Sequence, residues 1–413
     1  MKKISLLITF LLFLTSCTLG MKMDELVKTP GHLTIINTVE EIDERIVDNL
    51  NSFAMKLYNE LYETNKNVFI SPASIYLALG MTYNGAEHNT ALEMGELLEA
   101  KGMTLEKFNK LNHDLQSLML GYEKSNFELA NSIWIRDTYK DFVKEDFLNQ
   151  NMEYYGAMVS SLDFNNPKAK DTINRWVSKN TKGRIKKGID DEIHPLTVMF
   201  LINTIYFKAN WEKTFEAHDT KEGNFYNLDN VNTVELMTKI DILGYTENDL
   251  LQGVILPYED KKTSMFILCP KEDLTNLSLS VQDITVLVQD MNDNKVSVNL
   301  SMPKVKLEYE VGLKEHLINL GMKDAWDGSA DFSKMADNAV EEGLHIADIT
   351  HKSFLAIDEK GTEAAAMTKV EMRLESAPMS DYVMIVDKPY LIGIIDNKSG
   401  ALLFLGSIYN PSE

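Results

Sequence analysis

Residues 357–377 hold the clearest chemical pattern in the chain, an alternation of two kinds of side chain. Small or apolar residues take every second position, namely Thr362, Ala364, Ala366, Thr368, Val370, Met372 and Leu374. The positions between them are mostly charged, namely Glu363, Ala365, Met367, Lys369, Glu371, Arg373 and Glu375. A period of two is typical of a half-buried β-strand, and because its buried set opens with very small side chains after Gly361, this strand could pass between two existing strands and hydrogen-bond to both. The alternatives are an ordinary edge strand or, since three alanines are consecutive, a helix.

The chain lacks the linear motifs of the common enzyme classes. It has no Gly-x-Ser-x-Gly, His-Glu-x-x-His, P-loop, Cys-x-x-Cys or Gly-x-Gly-x-x-Gly. The eight histidines are scattered, and His345 and His351, which are close in sequence, have no recognisable further ligands for a metal ion. We therefore predict that the protein is not an enzyme and that it uses no metal ion or cofactor.

The charge of the 413-residue chain argues against several kinds of partner. A formal charge of −21 disfavours nucleic acids, heparin-like polyanions and anionic membrane surfaces. One basic cluster stands out from this acidic background, and its members are Lys179, Lys182, Arg184, Lys186 and Lys187. We interpret this cluster as a solvated loop after a helix, and a polyanion site is the alternative.

The first residues predict export and attachment to a membrane. Lys2 and Lys3 precede an apolar run, residues 4–14, that is too short to span a bilayer as a permanent helix. The run ends in Leu-Thr-Ser before Cys17 and resembles a bacterial lipobox, in which the cysteine receives lipid after cleavage. We therefore predict a signal peptide at 1–16 and a lipidated tether at 17–44, on the extracellular or periplasmic face of the cell envelope. The alternative is a plain secretory signal, and a lipidated Cys17 would leave Cys269 without a disulfide partner.

Helices are predicted to come first along the chain and strands later. Apolar residues follow the helical period from Ile42 onward, and further helices are predicted to start near Ser71, Thr90, Leu105, Lys144 and Ala169. Strands are predicted at 127–135, 197–207, 231–238, 253–257, 263–268, 295–300, 304–309, 354–357, 382–386, 390–396 and 401–409. No repeat or long linker divides the chain, so we predict one α+β domain over residues 45–413.

Phrases along most of the chain resemble those of the serpins, the serine protease inhibitor superfamily. Residues 359–368 resemble the proximal hinge of the serpin reactive-centre loop. Other similar phrases cover the second helix and its turn, the sixth-helix region and the third strand of the central sheet, at 67–75, 85–90, 173–177, 181–185 and 200–211. Further matches lie at 302–306, 330–333, 387–391 and 403–411. Each phrase alone is weak, but they follow the family's order over residues 45–411.

The resemblance implies the serpin fold, with about nine helices, three β-sheets and an exposed reactive-centre loop. It also implies suicide inhibition, in which a protease cleaves the loop, is held as an acyl-enzyme, and is trapped when the freed loop inserts into the central sheet. Loop insertion is a known property of serpins and not a deduction from this sequence. This sequence has small side chains at the inserting positions, which can enter the sheet. A proline or a charge at one of these positions is therefore expected to slow insertion and turn the inhibitor into a substrate.

The resemblance assigns residues to three parts of this mechanism. The hinge comprises Glu359, Gly361, Thr362, Glu363, Ala364, Ala365 and Ala366. A polar shutter beneath the central sheet is matched by Ser71, Ser74, Asn203 and His351, so His351 is interpreted as a hydrogen-bonding switch and not as a catalytic base. The breach at the top of the sheet is matched by Trp211, for which core packing is the other interpretation, and by Lys304 and Glu359 as a possible ion pair.

Family spacing places the reactive bond after the seventeenth residue counted from the hinge glutamate, which is the bond between Glu375 and Ser376. A glutamate there suits a protease with a basic specificity pocket. Three other bonds stay open: Arg373–Leu374 for trypsin-like proteases, Leu374–Glu375 for elastase-like or chymotrypsin-like ones, and Met379–Ser380, because the loop is long.

The sequence thus predicts a monomeric, lipid-anchored bacterial serpin whose partners are serine endopeptidases, with cysteine endopeptidases as a second class. Residues 103–120, about where some serpins bind heparin, carry only Lys107 and Lys110, so no heparin activation is expected. A non-inhibitory serpin that acts as a binding protein is the first alternative, and the small hinge residues argue against it. An anchored hydrolase is the second alternative, and no catalytic group supports it.

Overall fold

The computed structural model describes residues 42–121, 126–362 and 380–412. These residues form eight α-helices, four short 3-10 helices and fifteen strands. The α-helices are α1 (Glu44–Leu61), α2 (Pro72–Tyr83), α3 (His88–Leu97), α4 (Leu105–Leu120), α5 (Glu145–Tyr155), α6 (Lys168–Asn180), α7 (Val281–Asp293) and α8 (Lys314–Asn319). The strands are β1 (Val68–Ile70), β2 (Asn126–Arg136), β3 (Met158–Leu162), β4 (Met199–Asn210), β5 (Lys221–Tyr226), β6 (Val231–Glu247), β7 (Leu251–Pro257), β8 (Thr263–Pro270), β9 (Lys295–Pro303), β10 (Val305–Gly312), β11 (Thr350–Asp358), β12 (Gly361–Thr362), β13 (Tyr382–Ile385), β14 (Tyr390–Asp396) and β15 (Leu402–Ile408).

The helices begin where polar side chains can satisfy free backbone N–H groups. The hydroxyl of Ser71 accepts from the N–H of Ser74 at the start of α2, and Thr104 caps α4 in the same way. Helix α1 buries the apolar stripe that the sequence predicted, including Ile46 and Leu50. The predicted helix starts therefore lie within about two residues of the observed ones, a difference typical of helix ends.

The larger sheet has nine strands. Its order is β1-β15-β14-β8-β7-β6-β9-β13, and β5 pairs with β6 outside this path. Strand β6 is much longer than the predicted 231–238, because its first part pairs with β5 and β9 and its last part with β7. Three β-sheets were expected. Strands β5, β9 and β13 form a small third group of strands, and this group is joined to the rest of the larger sheet through β6.

The smaller sheet has six strands in the order β10-β11-β12-β4-β2-β3. Strand β12 is only two residues long and is antiparallel to both of its neighbours. Strands β11 and β4 therefore run parallel to each other, with β12 between their ends. This arrangement places Gly361 and Thr362 of the predicted hinge inside the sheet.

Helices cover both faces of the six-stranded sheet. Helix α2 packs against β4 on one side and against β15 of the larger sheet on the other, so it joins the two sheets in the main core. Helix α6 lies against β2 and β4, where Trp134, Ala169 and Ile173 belong to a second, separate cluster. The start of α2 contacts both β4 and β11, so its first turn lies beneath the gap between these two strands.

Candidate functional site

The hinge is held in the sheet by two neighbours at once. Gly361 pairs with Asp358 of β11 and Asn210 of β4, and Thr362 pairs with Ile357 and Ala209, the preceding residues of the two strands. Gly361 has a φ of +155°, and a Cβ atom there would lie 2.1 Å from the carbonyl oxygen of Ala209. Only glycine can make this close approach without moving β4.

Trp211 clamps the hinge from the β4 side. Its indole N–H donates to the carbonyl of Asp358 at 3.0 Å, and its backbone N–H donates to the carbonyl of Lys360 at 2.8 Å. Its ring stacks on Tyr258, with 4.9 Å between the ring centroids. Trp211 is 2 % exposed, so it is packed in the core as well as bonded to the hinge at the position that was matched to the breach.

Tyr258 is a contact of the hinge that the sequence did not indicate. Its hydroxyl lies 2.7 Å from the hydroxyl of Thr362, and burial raises the pKa of Tyr258 well above its usual value, so the hydroxyl stays protonated. Tyr258 directly follows β7, and an aromatic residue at a strand end carries no signal for such a contact. This hydrogen bond holds Thr362, the first residue of the alternating segment, in place.

Glu359 and Lys304 form an ion pair beside this clamp. The Glu359 carboxylate lies 2.9 Å from the Lys304 ammonium and also accepts from the hydroxyl of Thr220 at 2.8 Å. Burial opposes the charge on Glu359, but these hydrogen bonds outweigh it and hold the pKa of Glu359 below its usual value. Lys304 makes a second ion pair with Glu235 at 3.2 Å, so the pair is a small network at the edge of the breach.

The shutter residues meet on the first turn of α2. The backbone N–H of Ser71 donates to Nε2 of His351 on β11, at 3.2 Å. The hydroxyl of Ser74 donates to the side-chain oxygen of Asn203 on β4. Among the residues that the structure describes, no hydrogen bond joins Asn203 directly to His351. The two strands are thus tied separately to one helix end.

The network continues beyond the predicted shutter into the helical layer. The side-chain NH2 of Asn203 donates to the side-chain oxygen of Asn131 on β2, at 2.6 Å. Asn131 in turn donates to the carbonyl of Tyr155 at 2.6 Å and to the side chain of Gln116 at 3.2 Å. The sequence carries no local signal for Asn131, because its strand also contains other polar residues such as Glu128 and Ser132.

Acidification is expected to destabilise the shutter through His351. Burial lowers the pKa of His351 from 6.5 to about 4, and its Nε2 accepts a hydrogen bond, so the neutral ring carries its proton on Nδ1. The unfolded state therefore binds the proton more tightly between pH 6.5 and 4, and the free energy of unfolding falls as the pH falls through this window, by about 3 kcal/mol. Above pH 6.5 neutral His351 makes its full contribution to the free energy of unfolding.

Urea unfolding at several pH values tests this expectation. The variant His351→Gln should show a flatter dependence between pH 6.5 and 4 than the native protein. The variant His345→Gln, at an exposed histidine, should keep the native slope. Equal slopes for the native protein and His351→Gln would contradict the assignment.

Several predicted positions lie outside the described residues. They are Cys17, Glu363, Ala364, Ala365, Ala366, Arg373, Leu374, Glu375, Ser376 and Met379. Within the described ranges, no helix is long and apolar enough to cross a membrane, and no group of three or more potential ligands could hold a metal ion. Cys269 is 3 % exposed, and burial raises the pKa of its thiol to about 12, as expected for a structural cysteine.

Known sequences share this architecture over nearly the whole chain. The sequence model of the family described as "Serpin (serine protease inhibitor)" matches residues 48–411. A serpin-like protein of Thermococcus kodakarensis is 36 % identical over 381 residues, which are 90 % of this chain and 87 % of that protein. The leukocyte elastase inhibitor of Bos taurus is 33 % identical, covering 87 % of this chain and 97 % of its own.

Solved structures agree with the sequences. The thermophilic serpin tengpin in its native state has a TM-score of 0.77 and 32 % identity, covering 90 % of this chain and 95 % of its own. Human thyroxine-binding globulin in complex with its hormone has a TM-score of 0.76 and 28 % identity, covering 90 % of this chain and 100 % of its own. The predicted α+β fold is confirmed, and the chain belongs to the serpin family, which includes protease inhibitors such as the leukocyte elastase inhibitor.

Proposed function

We propose that this protein is an irreversible suicide inhibitor of serine endopeptidases, with cysteine endopeptidases as a second class of target. The protease nucleophile attacks the carbonyl of the reactive bond, an ester (or thioester) forms, and the new amino terminus leaves. The loop segment that stays attached at the hinge then extends β12 between β4 and β11. The displaced protease cannot complete hydrolysis, so it stays bound through the ester.

One observation carries this proposal, the position of β12. Its two residues already hydrogen-bond to β11 on one side and β4 on the other. Thr362 is 3 % exposed, and the positions that would follow it on the same side of a continuing strand are Ala364 and Ala366. A non-inhibitory relative would not need small residues at these positions.

The shutter supports the same proposal, because it can open without breaking an ion pair. Asn203 on β4 and His351 on β11 are uncharged, and each is bonded to a different serine of α2. Separating the strands therefore costs neutral hydrogen bonds, each worth about 1 kcal/mol net. The strand that enters would supply new hydrogen bonds to both edges.

We propose the bond between Glu375 and Ser376 as the reactive bond, with Arg373–Leu374, Leu374–Glu375 and Met379–Ser380 as the alternatives. We also propose that lipid on Cys17 holds a monomeric protein on the extracellular or periplasmic face of the bacterial cell envelope. Cys17→Ser would then move the protein from the membrane fraction to the soluble fraction after cell lysis, and an unchanged distribution would contradict the anchor.

The function is tested by mixing the protein without residues 1–17 with trypsin, pancreatic elastase and a glutamyl protease in turn. A band at the summed mass that survives boiling in detergent is expected for at least one protease, and the N-terminal sequence of the released peptide identifies the bond. Clean cleavage without that band for every protease would favour the alternative of a binding protein, a role that thyroxine-binding globulin shows to exist within this fold.

A further inference from the structure

A short connection follows β4 and lies directly beside the hinge. It comprises residues 211–216, and its backbone N–H groups hold the two residues that precede β12. The N–H of Trp211 donates to the carbonyl of Lys360, and the N–H of Phe215 donates to the carbonyl of Glu359, both at 2.8 Å. We name residues 211–216 the hinge clasp. The place from which a strand could extend β12 is therefore fixed by the position of the hinge clasp.

Lys239 on β6 binds the hinge clasp from the larger sheet. Its ammonium donates to the carbonyl of Lys213 at 3.0 Å and lies 4.5 Å from the centre of the Phe215 ring. Phe215 is buried, so this cation–π contact is shielded from water, where such contacts are worth most. Lys239 thus contacts the same residue whose backbone N–H binds the carbonyl of Glu359.

The positive charge of Lys239 is nearly buried and only partly compensated. Its side chain is 10 % exposed, and the carboxylate of Asp241 lies 3.9 Å from its ammonium. Asp241 lies closer to the ammonium of Lys213, at 2.5 Å, so two lysines share it. Glu212 of the hinge clasp also favours the charge, whereas Leu300, which pairs with Lys239 on β9, is apolar. Burial outweighs both carboxylates and lowers the pKa of Lys239 to about 8.

Packing alone does not explain a lysine at this position. An apolar side chain of similar length would fill the space beside Phe215 without the cost of burying a charge. Asp241 does not require Lys239 either, because the ammonium of Lys213 is closer to it. A cation adds the attraction to the Phe215 ring and a donor for the carbonyl of Lys213, and a methionine would supply neither.

We infer that Lys239 is a positioning residue for loop insertion, which it promotes by holding the hinge clasp in place. The inference rests on the proposed function. Charged Lys239 holds Phe215, and Phe215 in turn holds Glu359, so the strand that extends β12 starts from one fixed place. With a loose hinge clasp, the first ladder hydrogen bonds have to form from a less well oriented start, and insertion is slower.

The charge of Lys239 makes insertion depend on pH. Because its pKa is about 8, the ammonium loses its proton between pH 7 and pH 9, and the cation–π contact with Phe215 is lost with it. Insertion is therefore expected to slow as the pH rises through this window. An arginine at residue 239 would stay charged throughout, so its insertion should not show this dependence.

The test compares Lys239→Met and Lys239→Arg with the native protein, using the protease that the native protein traps. On denaturing gels, the ratio of cleaved free inhibitor to trapped complex equals the ratio of the rate of hydrolysis to the rate of insertion. The same protease carries out hydrolysis in each case, so a difference in this ratio between variants at one pH reports insertion. Lys295→Met is the matched control, because Lys295 is an exposed lysine on the neighbouring strand β9.

At pH 7 the ratio is expected to be about three- to tenfold higher for Lys239→Met than for the native protein, and native for Lys295→Met. From pH 7 to pH 9 the native ratio should rise towards that of Lys239→Met, while the ratio for Lys239→Arg stays low.

A native ratio for Lys239→Met at pH 7 would overturn the inference and leave the proposed function standing, because trapping itself would be intact. If Lys239→Met does not fold, Lys239→Arg decides alone, and a rise with pH as large as the native one would overturn the inference. If the native protein forms no complex with any protease, the proposed function fails and the inference fails with it.

Discussion

Replacing Ala364 with aspartate is expected to convert the protein from an inhibitor into a substrate. Thr362 already lies between β11 and β4 and is 3 % exposed, and Ala364 is the next position on the same side of a continuing strand. An aspartate at that position would carry a charge into the sheet during insertion, at a cost of several kcal/mol. A barrier about 3 kcal/mol higher slows insertion by more than about 100-fold, so the acyl-enzyme hydrolyses before the loop can enter.

The measurement is a titration of residual protease activity against inhibitor, with the products followed on denaturing gels. The native protein should approach one molecule consumed per protease, and Ala364→Asp should be cleaved with little stable complex. Ala365→Asp is the matched control, because the alternation places residue 365 on the other side of the strand, where a charge can stay solvated. Native-like trapping by Ala364→Asp would refute insertion at this position.

Cleavage of the loop without a trapped protease is expected to raise the thermal midpoint of the native protein by roughly 10–20 °C. About a dozen residues would enter the gap and each would add ladder hydrogen bonds worth about 1 kcal/mol net, which gives on the order of 10 kcal/mol. In a domain of this size each kcal/mol moves the midpoint by about 1–2 °C. Before cleavage the loop is tethered at both ends, at Thr362 and again at β13, so this gain is not accessible.

Differential scanning calorimetry of intact and cleaved protein measures the shift, and Ala364→Asp cleaved at the same bond is the control. The control should gain much less, because its strand has to bury a charge in order to enter the sheet. If the midpoint of the cleaved native protein does not rise, the loop does not insert, and suicide inhibition is excluded whatever the gel shows.

The resemblance grouped the four shutter residues, and in the structure Ser71 is hydrogen-bonded to His351 and Ser74 to Asn203. The sequence could not predict the groups that hold Thr362 and Asn203 in place. Glu359 and Lys304 were expected to pair and lie 2.9 Å apart, because the resemblance aligned both positions. Tyr258 and Asn131 were not expected, since each acts through a partner more than seventy residues away in sequence. A local pattern contains no information about such contacts.

Strands were predicted well where one face is apolar and poorly elsewhere. Strand β3 contains Ser160 and Ser161, both buried, so it lacks the apolar alternation of a typical strand. Strand β5 is mostly exposed and was also missed, because only Phe225 is buried there. The full length of β6 could not be foreseen, because it exchanges partners along its course while its own pattern continues.

The place of β15 between β1 and β14 in the larger sheet has a consequence for biosynthesis. This strand contains nearly the last residues of the chain, yet it pairs with β1 near the beginning, and the hydroxyl of Ser71 donates to the carbonyl of Leu403 at 2.8 Å. Contacts between residues more than 300 positions apart form slowly, and these contacts cannot form before β15 has left the ribosome. A nascent chain therefore lacks the finished larger sheet, and the hydrogen bond between Ser71 and Leu403, until β15 has been synthesised.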